Sequence, residues 1–167
     1  MINEIGNIFL SISATLSLCM FSVIFFRKSL ATNIRFNFCK FFSISTSILI
    51  TLSFLILAYA FLIDDFSLRY VANNSNIDLE NIYKFSAVWG AHEGSILLWV
   101  LVMSIWCSLI ILLSKNMPKT IIIDMISVMG LLLLFFLVFI LFSSNPFDRV
   151  FPVPLNGKDL NPLLQDP

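Results

Sequence analysis

The sequence predicts an all-α, polytopic membrane protein with four transmembrane helices and an irregular, proline-rich outer tail. Composition is the first sign: 59% of the 167 residues are hydrophobic and 12% are charged, whereas about a quarter of an average soluble domain is charged. The second is length, because four stretches (5–26, 41–63, 87–113 and 121–142) reach the roughly 20 apolar residues that a spanning helix needs. The third is charge sorting. The connections 27–40 and 114–120 hold Arg27, Lys28, Arg35, Lys40, Lys115 and Lys119 and no acid, while 64–86 and 143–167 mix acids with fewer bases.

That sorting orients the chain. Basic connections stay on the inner side of a membrane, so 27–40 and 114–120 are expected in the cytoplasm or mitochondrial matrix and both termini outside. The first span is not a cleaved signal peptide, which carries positive charge ahead of its apolar stretch; here Glu4 precedes it and Arg27 and Lys28 follow.

The first two spans carry many hydroxyls: Ser11, Ser13, Thr15, Ser17 and Ser22 in one, and Ser43, Ser45, Thr46, Ser47, Thr51 and Ser53 in the other. Such residues mark helices packed on protein, where they bond to their own helix or to a neighbour. Cys19, Cys39 and Cys107 form no C-x-x-C pair and read as small apolar residues. The outer loop holds an Asn73-Asn74-Ser75 sequon, a short and unspecific motif, and 78–83 has the pattern of one amphipathic turn. Asp124, near the start of the fourth span, reads as a helix end-cap screened by Lys119. Residues 1–142 therefore form the helical region and 143–167 a separate outer segment. Its prolines at 146, 152, 154, 162 and 167 preclude a continuous helix. The segment holds no evident element to pack back on the bundle, and the chain reads as interrupted there. No basic stripe points to nucleic acid.

The stretch richest in chemistry is 86–106, SAVWGAHEGSILLWVLVMSIW, with the only histidine, His92, beside Glu93, between Gly90 and Gly94, together with all three tryptophans. Ionisable groups at the edge of an apolar span face protein or a wet cavity. If 87–113 is one helix, Trp89, His92, Ile96, Trp99, Met103 and Trp106 share a face. That face reads either as a packing stripe or as the lining of a cofactor or quinone pocket by His92 and Trp99. Gly90 and Gly94 fit the small-x-x-x-small pattern of closely approaching helices. One histidine cannot supply both axial ligands of a haem.

Three separated blocks, AYAFLIDDFSLRYVANNSN, YKFSAVWGAHEGSILLWVLVMSIW and NPFDRVFPVPLNGKDLNPLLQDP, resemble the N-terminal part of the CcmF family, the haem lyase subunit of cytochrome c maturation. Trp89, Gly90, His92, Glu93, Gly94 and Ser95 match a family motif. The resemblance implies a multi-pass protein of the bacterial or mitochondrial inner membrane. Such a protein takes haem from a membrane-anchored haem chaperone and joins it to the thiols of apocytochrome c, alongside thiol-handling maturation subunits. It also implies a haem b, reduced by quinol, whose histidine ligands lie downstream of LNPLLQDP together with the family's tryptophan-rich motif. No catalytic or metal-binding residue carries over, no cofactor is expected for this chain alone, and a complementary C-terminal fragment is the expected partner besides membrane lipid. Two other readings stay open: a scaffold that only docks partner subunits, and a quinone-binding electron-transfer subunit built around His92.

Overall fold

The computed structural model describes residues 2–114 and 116–158; Lys115 and the tail from 159, with Pro162 and Pro167, lie outside the described residues. Six α-helices follow one another: α1 (Ile2–Ser22), α2 (Thr32–Leu62), α3 (Arg69–Asn74), α4 (Asn81–Ala87), α5 (His92–Leu113) and α6 (Lys119–Ser143). A tight 3-10 segment, Val23–Arg27, prolongs α1. Glu4–Arg27 and helices α2, α5 and α6 are long and apolar enough to cross a membrane.

The four long helices form one bundle. Helix α1 packs on α2 and α6, α2 on α5, and α5 on α6, with α2 and α6 also touching across the diagonal. Between helices in lipid there is no hydrophobic drive, so small residues and hydroxyls set how closely backbones approach. Of the hydroxyls in the first two spans, Ser13, Ser17, Ser43, Thr46 and Ser53 are buried, while Ser11 and Thr15 are exposed and, like Thr51, bond back to their own helix. The buried hydroxyls of Ser13, Ser17 and Thr46 meet no hydrogen-bond partner among the described residues. Ser53 donates to the Gly6 carbonyl at 3.1 Å, and Ser108 to the Ser43 carbonyl at 3.2 Å. Cys39 and Cys107 are buried in the same interior and Cys19 is half-buried. Helices α1 and α6 approach closely at Gly130, where a β-carbon would lie 2.9 Å from the Phe21 amide nitrogen and 3.0 Å from the Ser17 carbonyl. The outward faces are apolar, as lipid demands: Leu55, Trp99, Trp106, Phe135 and Phe142 are exposed.

Three helix ends differ from the sequence expectation. Helix α2 begins at Thr32 rather than at 41, because 32–40 contains no glycine or proline to stop it. Arg35, on this extension, is buried and bonds the Val23 carbonyl through Nε at 3.3 Å. Helix α5 begins at His92 rather than at 87, after the chain leaves helical geometry at Ala91 (φ −131°, ψ 178°). The amphipathic turn expected at 78–83 lies later, as α4, and α3 contains the sequon asparagines.

Asp124 is not a cap screened by Lys119. It sits past the first turn of α6 and pairs with Arg27 and Arg35, at 3.9 Å each. Lys119 instead donates to Asn33 Oδ1 at 2.9 Å and lies over the Phe36 ring.

The expectation that the segment after Phe142 has nothing to pack back with is also overturned. Leu68 and Arg149 form an antiparallel bridge, flanked by bonds from the Arg69 amide to the Asp148 carbonyl (2.8 Å) and from the Val150 amide to the Ser67 carbonyl (3.0 Å). Further on, the Lys158 amide bonds the Ala72 carbonyl at 2.8 Å, and Asn156 Oδ1 accepts the Ile77 amide at 3.0 Å. Proline forbids helix here but tolerates edge pairing of this kind. Arg149 also reaches Glu4 at 3.1 Å, and Asn145 reaches Asn7 at 3.2 Å. The N-terminal end of α1, the loop after α2 and the segment after α6 are thereby tied into one loop-bearing cap.

Gly130→Leu should force α1 and α6 apart and lower stability by about 1–3 kcal/mol, the usual cost of overpacking. Thermal unfolding in detergent measures it; an unchanged or raised midpoint would show that the contact is not tight.

Candidate functional site at the α4–α5 turn

The candidate site is built on a broken helix. Helix α4 is first fixed from below: Lys84, 4% exposed, meets Asp64 Oδ2 at 2.6 Å. A lysine is buried this deeply only when paired. Asp64 ends the turn after α2 with φ 55°, a left-handed conformation that Asp tolerates better than most residues. Past Ala87 the chain turns through Val88, Trp89, Gly90 and Ala91 before α5 starts, and the turn's carbonyls need partners.

Tyr70, from α3, supplies the main one. Its hydroxyl lies 3.1 Å from the Val88 carbonyl, 3.4 Å from that of Ala87 and 3.4 Å from the Ala91 amide. One phenol can thus donate to a carbonyl and accept from an amide at once. Ser95 Oγ donates to the Trp89 carbonyl at 2.6 Å, and the Ser95 amide bonds the Ala91 carbonyl at 3.0 Å. Gly94 makes room: any β-carbon there would run into the Val88 carbonyl and lie 2.5 Å from the Tyr70 hydroxyl. The glycine therefore serves a turn folding back on its own helix, and not the approach of a neighbouring helix.

Of the residues singled out in the sequence, Trp89, Gly90, Gly94 and Ser95 form this knot. Trp89 is half-buried, edge-on to Phe85 at 5.3 Å. His92 opens α5 and is exposed; its Nδ1 lies 2.9 Å from Ser144 Oγ, and its ring meets Phe139 edge-on at 6.1 Å. The buried Ser144, at the end of α6, thus sets the direction of the imidazole. Glu93 is half-buried and its charge acts on Tyr70. Trp99 stands apart, two turns or roughly 10 Å further along α5, on the outward face and 69% exposed. The stripe drawn on one continuous helix is thus interrupted: Trp89 belongs to the turn, and His92 and Trp99 to the face of α5.

Tyr70, Lys84, Asp64 and Ser144 were not legible as site residues. Each acts through a partner distant in sequence, and only Lys84, a base among Asp64, Asp65, Asp78 and Glu80, offered any hint.

Haem places a demand that these residues do not meet. Ligation by two imidazoles needs a second histidine, and the sequence contains one. Among the described residues no three His, Cys, Asp or Glu side chains gather as a metal site would require. His92, already held through Nδ1 by Ser144, can offer one ring nitrogen outward.

Burial pushes the Tyr70 phenol up to about 12, with the Glu93 charge adding to the shift and bonds to the Ala91 and Gly94 backbone opposing it. Between pH 10 and 12 an unfolded phenol releases its proton while the folded one keeps it, so stability falls as pH rises through that window. The loss amounts to at most about 2–3 kcal/mol by pH 12. Tyr70→Phe should be less stable at neutral pH and should lose less on alkalinisation, so the two proteins converge. Unfolding of both in detergent from pH 8 to 12 checks this; parallel curves would remove Tyr70 from the knot.

Residues 89–167 match the family model for cytochrome C assembly proteins. The chain is 40% identical over 169 residues to the cytochrome c-type biogenesis protein CcmF of Haemophilus influenzae, covering 99% of this chain and 26% of that protein. It is 51% identical over 116 residues to CcmF of Escherichia coli, covering 69% and 18%. Its fold matches a solved cytochrome c haem lyase CcmF with a TM-score of 0.79 at 23% identity, over 91% of this chain and 26% of that one. The chain spans about a quarter or less of the length of these relatives. Within that share, the sequence and the four-helix fold agree, and the chain belongs to the CcmF family of cytochrome c-type biogenesis proteins.

Proposed function

We propose that this chain supplies the N-terminal helical part of a haem lyase, acting with a complementary polypeptide that carries the family's remaining helices and haem ligands. The observation that carries the reading is the rigid α4–α5 turn. Tyr70, Gly94 and Ser95 hold Trp89, His92 and Glu93 at the loop-bearing end, where the segment from Ser144 to Lys158 is also locked in place. In this reading the haem b, its quinol reductant, the membrane-anchored haem chaperone, apocytochrome c and the thiol-handling subunits are met by the assembled protein. This chain contributes a fixed outer platform. Its own residues bind and orient: Ser144 sets the His92 ring, and Tyr70 keeps the turn closed. No bond-making step is assigned to them. A purely docking role differs only in whether haem attachment requires the chain.

The platform faces outward in a bacterial plasma membrane or a mitochondrial inner membrane. Support comes from the sign of the charges, with Arg27, Lys28, Arg35, Lys40 and Lys119 at the opposite end.

Two measurements bear on this. In a cysteine-free background, a membrane-impermeant maleimide added from outside should label Leu155→Cys, at a position 97% exposed, and spare Met117→Cys, 45% exposed at the basic end. The reverse pattern would invert the topology. In a bacterium lacking its own CcmF, co-expression of this chain with the remaining three quarters of the Haemophilus influenzae protein should restore haem-stained c-type cytochromes, and neither half should do so alone. Full restoration by the second half alone would reduce this chain to a docking role. No restoration together with no co-purification would remove the reading altogether.

A further inference from the structure

The basic end holds a feature that the outer platform does not use. An apolar groove of about 240 Å³ lies between the end of α1 and α2, lined by Cys19, Val23, Phe26, Leu30, Phe38 and Phe42. Phe38 and Phe42, one turn apart, stack nearly parallel (centroids 6.0 Å apart, 11° between planes) and make a flat wall. Phe26 and Phe38 are 47% and 44% exposed, so in a membrane the groove opens toward lipid.

A base lies next to two of the groove's lining residues in the chain: Lys28 falls between Phe26 and Leu30. The amides of Ser29 and Leu30 both bond the Phe26 carbonyl, at 3.2 and 3.0 Å, which turns the chain there. Val23, in the groove, gives its carbonyl to Arg35. Among the described residues Asp124 is the acid at this end, and Arg27 and Arg35 already share it at 3.9 Å each. Lys28 and Lys40 are exposed, and among the described residues no ion pair involves them.

We propose that this groove binds one anionic phospholipid, with an acyl chain against the Phe38–Phe42 wall and the headgroup phosphate at Lys28. A base beside an apolar recess between helices suits an anionic headgroup with its acyl chain in the recess. A partner's apolar helix in the same place would leave the cation beside it uncompensated, so the charges favour lipid. The inference concerns the basic end alone and does not depend on the haem-lyase reading.

The test is native mass spectrometry of the chain released from vesicles of equal parts phosphatidylglycerol and phosphatidylcholine with matched acyl chains. The chain should retain one lipid with phosphatidylglycerol enriched. Lys28→Gln should cut that enrichment by about fivefold, the worth of one basic residue near an anionic surface (about 1 kcal/mol). Cys19→Phe, which fills the groove, should remove the retained lipid. Lys119→Gln removes the same charge from the same end but lines a different recess, with Phe36, Ile111 and Met117, and should change nothing. Absence of enrichment, an equal loss in Lys119→Gln, or retention unchanged in Lys28→Gln would each overturn the assignment. If Cys19→Phe fails to fold, the comparison of Lys28→Gln with Lys119→Gln decides alone.

Discussion

Lipid offers no hydrogen bonds, so a chain that breaks its helix at the membrane edge must satisfy the freed backbone groups from within. The α4–α5 turn is where this chain meets that constraint. The carbonyls of Ala87, Val88, Trp89 and Ala91 are each met by Tyr70 or by Ser95, and Gly94 provides the space for the chain to fold back. Everything else at the loop-bearing end follows from keeping that turn in place. Helix α3 exists at the length needed to deliver Tyr70, and the Lys84–Asp64 pair anchors α4 against the end of α2. His92 can point at Ser144 only because α5 starts where the turn ends.

The two ends of the bundle are stabilised by different chemistry. At the loop-bearing end, main-chain pairing dominates, between 67–77 and 148–158, with polar side chains closing the gaps. At the basic end the link is electrostatic: two arginines lean on one carboxylate, and one of those arginines is almost wholly enclosed. A buried arginine whose partner was removed would leave an uncompensated charge, an expensive defect in an apolar setting. The middle of the bundle depends on neither and is governed by the size of the residues at the helix contacts.

Which hydroxyls turn inward was not legible, since Ser13 and Ser17 are buried while Ser11 and Thr15 of the same span are exposed. The four spans were legible because each is written in contiguous composition, apolar runs with bases between them. The importance of 86–106 was legible for the same reason. Its geometry was not. A helical wheel drawn through Ala87 joined Trp89 to His92 and Trp99, yet Ala91 is extended and the wheel is cut there. Gly94 could be seen to need space, but the space serves the Val88 carbonyl of its own turn. Asp124 looked local to Lys119, five residues away, when its partners come from the first connection and the start of α2. In each case the pattern gave the residue type correctly, and the partner lay too far along the chain for any periodicity to point at it. The pairing of the proline-rich segment with the loop is the extreme case, since its bonds run through backbone that any sequence would present.

The bond between Glu4 and Arg149 joins residues 145 positions apart. Closing so wide a loop carries an entropic cost that local contacts do not offset in advance. The N-terminal end of α1 must therefore wait, during synthesis and insertion, for α6 and the segment after it to emerge. Residues 67–77, whose carbonyls and amides pair with that same late segment, wait as well. The loop-bearing cap thus sets after α6, and the turn bearing His92 acquires the Ser144 contact only once that helix is in place.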